Sequence, residues 1–160
     1  MIKFDNIIVP TDYSSLANSA VPHALELAKS FNSTVHLVHV FEAGLYFTAT
    51  AADTYAVLSA TPSGWLATKY IEDELRLQKL AQSLSRDSIV VSPVMRKGNA
   101  AHEIAKFADE LPNAVVVIAT HGRTGLQHML MGSVAERVVR SCPCPVLTIP
   151  LHITAHAAAK

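Results

Sequence analysis

Val115-Val-Val-Ile-Ala119 runs through five apolar residues without a polar one. A strand that faces water on one side alternates apolar and polar side chains, so an unbroken β-branched run needs cover on both faces. A parallel sheet with helices above and below supplies that cover. Asn6-Ile-Ile-Val9 is nearly the same kind of run, and three further β-branched segments, at Thr34 to Val40, Ser88 to Val94 and Pro145 to Ile149, read as strands. With the first taken from Lys3 to Val9 and the fourth from Val115 to Ala119, five strands are expected.

Stretches of helical period lie between them. Ser14 or Ser15 can cap the first, after which Ala17, Ala20, Val21, Ala24, Leu27, Ala28 and Phe31 recur at three and four, with Pro22 predicting a bend or a late start. Trp65 to Leu84 carries Leu66, Ile71, Leu75, Leu80 and Leu84 amid six charged residues. Asn99 to Leu111 turns Ile104, Phe107, Ala108 and Leu111 inward, and Ser133 to Arg140 offers Val134, Val138 and Val139. Strand and helix alternate throughout, which predicts an α/β fold with one open, parallel, five-stranded sheet and helices on both faces.

The 160 residues suit one domain, half of them apolar and 16% charged, which excludes a disordered chain. Thirteen Lys plus Arg balance thirteen Asp plus Glu, so nucleic acid is not an expected partner. No apolar run reaches the length of a membrane span or a signal core, so a cytoplasmic protein is expected. Cys142 and Cys144 stand two apart, too few for a secreted disulfide scaffold and poorly placed for an unstrained bond with each other, which makes them structural thiols. His36 and His39, three apart on a strand, point to opposite faces, and no metal site built from protein ligands alone is expected.

In an open parallel sheet, ligands bind beyond the carboxyl ends of the strands where the winding reverses. Two loops suit that place. Val9-Pro10-Thr11-Asp12-Tyr13-Ser14 sets a carboxylate at the end of the first strand, where Asp12 takes ribose hydroxyls or a metal ion, or caps the helix with Ser14. Ala119-Thr120-His121-Gly122-Arg123-Thr124-Gly125 follows the fourth strand, and Gly132-Ser133 then opens a helix. Three of the chain's six glycines fall in those eleven residues from 122 to 132, where glycine lets backbone N–H groups approach an anion beside a helix N-terminus. Arg123 adds a bidentate charge, His121 and His128 lie in or beside the loop and either reach a phosphate or simply contact solvent, and the Ser133 hydroxyl is a further donor or a magnesium ligand. Neither the Walker pattern nor Gly-x-Gly-x-x-Gly behind the first strand is present, which excludes P-loop and dinucleotide readings.

Ile8-Val-Pro-Thr-Asp12 with Ser14, the Leu37-Val-His-Val40 strand end, Gly98-Asn99, Ala119 to Gly125, Gly132-Ser-Val-Ala-Glu136 and Cys144-Pro-Val-Leu-Thr148 together resemble the universal stress protein family. The resemblance spans residues 1–150 as one domain, with 151–160 as a tail. The ATP-binding branch of that family has Gly, two residues, Gly, nine residues, Gly-Ser or Gly-Thr. Here Ala119 stands in the first position and Gly122 and Gly132-Ser133 fill the others at matching spacing, so the extra methyl is expected to weaken the approach of ribose or phosphate without abolishing it. The resemblance implies an adenine nucleotide alpha hydrolase-like sheet of order 3-2-1-4-5. It implies ATP with Mg as ligand, the Mg near Asp12 and Ser133. Asp12 would contact the ribose, the backbones of Pro10, Thr11 and Val40 the adenine, and Gly122, Arg123, Gly132, Ser133 and Val134, with Thr120 and His121 beside them, the phosphates. No residue is placed as a base for an attacking water, so the expected role is binding, with slow hydrolysis at most.

The last strand, Pro145 to Pro150, is an apolar edge in that order and predicts a homodimer, as the family resemblance also does. Residues 41–64 form a long, charge-poor insertion carrying Phe41, Tyr46, Phe47 and Tyr55, read as a mobile loop or as a lid or protein-contact surface. A competing reading is a nucleotide-independent dimeric interaction module with a vestigial phosphate loop, kept open by Ala119.

Overall fold

The computed structural model describes residues 2–42, 64–86, 89–121 and 131–150. Its elements run β1 (Asn6–Pro10), α1 (Ser15–Asn18), α2 (Val21–Phe31), β2 (Thr34–Phe41), α3 (Trp65–Leu84), β3 (Val91–Lys97), α4 (Ala100–Asp109), β4 (Ala114–Ala119), α5 (Ser133–Ser141) and β5 (Val146–Ile149). The sheet order is β3-β2-β1-β4-β5 and every neighbouring pair is parallel. Ile8 sits opposite His36 on one side and Val116 on the other, so β1 and β4 lie side by side at the centre.

All six residues of β4 are buried, as its unbroken apolar run requires. Alternate side chains divide between two cores. Ile7, Val9, Val35, Leu37, Val115 and Val117 pack under Ala24 and Ala28 of α2 and Leu77 and Ala81 of α3. On the other face Ile8, Val38, Val116 and Ile118 meet Ile104 and Phe107 of α4 and Ala135 and Val138 of α5. Full burial of each such branched side chain contributes about 1.5–3 kcal/mol, so the two faces carry most of what holds the layers together.

Several local expectations are corrected. The first helical stretch is two helices rather than one: Ser14 caps α1 as expected, its Oγ accepting from the Ala17 amide at 3.1 Å, and the late start expected at Pro22 is that of a separate α2 with the proline in its first turn, where its missing N–H costs nothing. β1 starts at Asn6 rather than Lys3, and β3 runs from Val91 to Lys97, past the expected Val94, while Ser88 lies outside the described residues. Ile71 and Leu75 face solvent on α3, and Leu77 and Ala81 are the buried pair, because positions four apart lie one turn from each other on the face against the sheet. On α5, Ala135 and Val138 face inward, and Val134 and Val139 are exposed.

Phe41, at the edge of the insertion, is buried and meets Tyr70 of α3 edge-on at 5.5 Å between ring centroids. The Glu42 carboxylate accepts from the Ala100 amide at the start of α4. The rest of the insertion, residues 43–63, and the tail, 151–160, lie outside the described residues.

Candidate functional site

The carboxyl ends of β1 and β4, after which the two sequence-predicted loops begin, lie side by side at one edge of the sheet. β1 ends in buried Pro10 and Thr11. The Thr11 amide donates to the Val38 carbonyl at 2.8 Å, extending the pairing one residue past the strand, and the Thr11 hydroxyl donates to Asn18 Oδ1 at 2.7 Å. Asp12 Oδ1 accepts from both the amide and the hydroxyl of Ser14, at 3.0 and 2.6 Å. Asp12 therefore shapes the turn into α1 while remaining half-buried at the strand end, and the helix cap itself is Ser14.

Tyr13 completes the turn with φ at 65°, a left-handed conformation uncommon for a bulky residue. Its surroundings hold it there. Its amide donates to Thr11 Oγ1 at 3.0 Å, its hydroxyl donates to the Asp73 carbonyl of α3 at 2.7 Å, and the Arg76 guanidinium lies 4.4 Å from its ring centroid. The ring also stacks on His39 of β2, centroids 4.3 Å apart. His39 is buried, and its Nδ1 is 2.8 Å from the Thr11 carbonyl. A carbonyl only accepts, so Nδ1 carries the proton and Nε2 faces the Asp73 carboxylate at 3.8 Å. This cluster of Tyr13, His39, Asp73 and Arg76 clamps the β1 loop to α3. Sequence reasoning missed it, and the one local signal was a polar His39 inside the apolar Leu37-Val-His-Val40 strand end. His36, as expected, lies on the other face, its Nε2 2.9 Å from Asn6 Oδ1 and its ring edge-on to Phe107.

At the end of β4, the Thr120 amide donates to the Ile149 carbonyl at 3.0 Å, and its hydroxyl lies 3.0 Å from His121 Nδ1. The Gly132 amide donates to the Thr120 carbonyl at 2.6 Å. That bond returns the chain to β4 and sets the N-terminus of α5 beside it. A Cβ at Gly132 would stand 3.2 Å from the same oxygen, so the close approach uses the absence of a side chain. Gly132 is also the N-cap and has no side chain with which to bond the first N–H groups of α5, which belong to the positive end of the helix. Ser133 and Val134 are both exposed. These donors and the Ser133 hydroxyl suit an anionic phosphate oxygen.

Ala119 belongs to the sheet rather than to the loop. It is the last residue of β4, pairs with Ile149, and its side chain packs in the core with Val9 and Val117. Val40 lies near the end of β2, half-buried, across from Arg96. Gly122, Arg123, Gly125 and His128 lie outside the described residues. Among the described residues no group of three or more His, Cys, Asp or Glu side chains is placed to hold a metal ion, and no helix is long and apolar enough to cross a membrane.

A parallel sheet of this order, with β1 and β4 side by side where the winding reverses, defines an open, doubly wound α/β class of fold. The sequence profile of the universal stress protein family matches residues 3–150. The chain is 30% identical over 146 residues to universal stress protein MJ0531 of Methanocaldococcus jannaschii, covering 91% of this chain and 82% of that one. The solved structure of universal stress protein UspA from Lactobacillus plantarum superposes with a TM-score of 0.74 at 23% identity, covering 92% and 98% of the two chains. A universal stress protein from Archaeoglobus fulgidus, solved in complex with dAMP, superposes with a TM-score of 0.58 at 19% identity over 93% of this chain and 99% of that one. The protein belongs to the universal stress protein family.

Proposed function

We propose that the protein binds an adenine nucleotide, ATP with Mg, at the carboxyl ends of β1 and β4, and acts in the cytoplasm as a small dimeric signalling or protective module. The observation that carries this reading is the Gly132 amide bonded to the Thr120 carbonyl, which sets a helix N-terminus with a glycine N-cap beside the end of β4, the neighbour of β1. Family membership and the dAMP complex of a relative support the choice of adenine nucleotide.

In this arrangement the backbones of Pro10, Thr11 and Val40 line the base and Asp12 meets the ribose. Thr120, His121, Gly122, Arg123, Gly132, Ser133 and Val134 surround the phosphates, with Ala119 beneath them, and Mg sits near Asp12 and Ser133. Backbone donors and one arginine suffice for a phosphate in a chain of zero net charge. Asp12 Oδ1 is engaged by Ser14, which suits orientation of a ligand better than activation of water. The second copy pairs along β5, an edge strand of which Leu147 is exposed.

Purified protein is denatured and searched by mass spectrometry for released adenine nucleotide, and nucleotide-free protein is titrated with Mg-ATP. Saturable binding supports the reading, and none up to millimolar ATP overturns it in favour of a nucleotide-independent dimeric module.

A further inference from the structure

Cys142 caps the C-terminus of α5 and Cys144 precedes β5, at the edge of the sheet opposite the candidate nucleotide site. Their Sγ atoms are 3.5 Å apart, and both thiols are free and half-buried. Beside Cys144 opens a depression of about 290 Å³ lined by Ala108, Leu111, Asn113, Pro143 and Pro145. A rigid turn thus presents two sulfurs together, next to space that another molecule can enter.

Three chemistries of a thiol pair can be compared with this geometry. A disulfide requires sulfurs about 2.0 Å apart, a closure that Pro143, with its fixed φ, resists. Burial, and then the hydrogen bond with Cys142, pushes the Cys144 thiol up to about 12. It holds its proton at neutral pH, which slows attack by oxidants that need a thiolate. Structural zinc takes four protein ligands, and no group of three or more His, Cys, Asp or Glu is placed for a metal among the described residues. Trivalent arsenic or antimony needs only two sulfurs, held at about van der Waals contact, and it accepts protonated thiols.

We propose that Cys142 and Cys144 form a dithiol site for one trivalent arsenic or antimony oxo-species, with any organic substituent seated in the depression beside Cys144. With an organoarsenic oxide, two As–S bonds form as the As=O bond breaks, and the oxygen leaves as water with both thiol protons. Arsenic stays trivalent and sulfur stays at the thiol level, so no oxidant or reductant takes part. The site stands independently of nucleotide binding.

The probe is phenylarsine oxide, added to the folded full-length chain. Intact mass is expected to rise by one phenylarsine oxide less one water, with loss of both titratable thiols and reversal by a small dithiol. Cys142→Ser and Cys144→Ser are each expected to need on the order of 100-fold more reagent for half-saturation, because the second bond is lost. Because the pair is already held together in the fold, the adduct should also raise the thermal midpoint of the wild type and leave both variants unmoved. Serine variants that bind as tightly as the wild type overturn the proposal. So does an adduct that lowers the midpoint, which would mean that the turn must open to react.

Discussion

The Gly132 amide donates to the Thr120 carbonyl at 2.6 Å, and a Cβ on Gly132 would stand 3.2 Å from that same oxygen. The backbone at Gly132, φ −71° and ψ 153°, is open to any residue, so the constraint here is proximity rather than dihedral strain. Gly132→Val therefore pushes the start of α5 off the end of β4 without forbidding the fold. Its expected cost in stability is about 1–3 kcal/mol. Calorimetric titration with Mg-ATP should show no saturation up to millimolar nucleotide while circular dichroism stays native. Cys142→Ser, at the far end of the same helix, should bind like the wild type. Undiminished affinity in the valine variant would mean that the phosphates lie elsewhere.

The β1 loop depends on His39. Its Nδ1–H serves the Thr11 carbonyl at 2.8 Å and its ring supports left-handed Tyr13. His39→Leu fills the buried site with an apolar side chain but removes the donor, leaving a buried carbonyl short of a partner at a cost of about 1–3 kcal/mol. Urea unfolding should show that loss, and nucleotide affinity should fall with it because Pro10 to Asp12 are no longer fixed. His39→Asn restores a short donor and should recover part of both. If affinity is unchanged while stability drops, the clamp serves the fold alone.

Ala119 occupies the position where the resembled ATP-binding pattern has its first glycine, and its methyl is spent on the core. It is 5% exposed, within β4, among Val9, Val117 and Ile149. Ala119→Gly removes that methyl and adds backbone freedom to a strand, an expected loss of about 1–2 kcal/mol. Affinity for Mg-ATP should stay within about threefold of the wild type, well under the 1.4 kcal/mol that a tenfold change represents. A tenfold gain would instead show that the methyl obstructs the ligand.

The sheet and the return of the chain to β4 at Gly132 were legible because their signals are local. Val115 to Ala119 cannot be half-exposed, and glycines behind a buried strand mark a close approach wherever the chain goes next. Helix faces were less legible. Val134 and Val139 lie at the two margins of one face of α5, with Ala135 and Val138 between them, and the spacing alone does not say that the middle pair takes all the burial. The clamp on the β1 loop was illegible for a different reason. Tyr13, His39 and Asp73 come from β1's loop, β2 and α3, and no spacing within any one segment reports that they meet. A histidine in an apolar strand announces only that some partner exists.

His36 links stability to pH. It is half-buried, bonded through Nε2 to Asn6 Oδ1 and edge-on to Phe107, and burial holds its imidazole below the ordinary value of 6.5. The folded chain therefore resists a proton that the unfolded chain accepts. The neutral ring's contribution is complete above the unfolded value, about 6.5, and is lost as pH falls from there toward the lower folded value. His36→Gln has nothing to titrate and can still bond Asn6. Urea midpoints for the two proteins, measured at pH 7.5 and pH 5, should diverge on acidification, with the wild type losing more than the glutamine variant. Parallel losses would show that His36 takes up its proton without opposition in the folded state, and that the acid sensitivity lies with other groups.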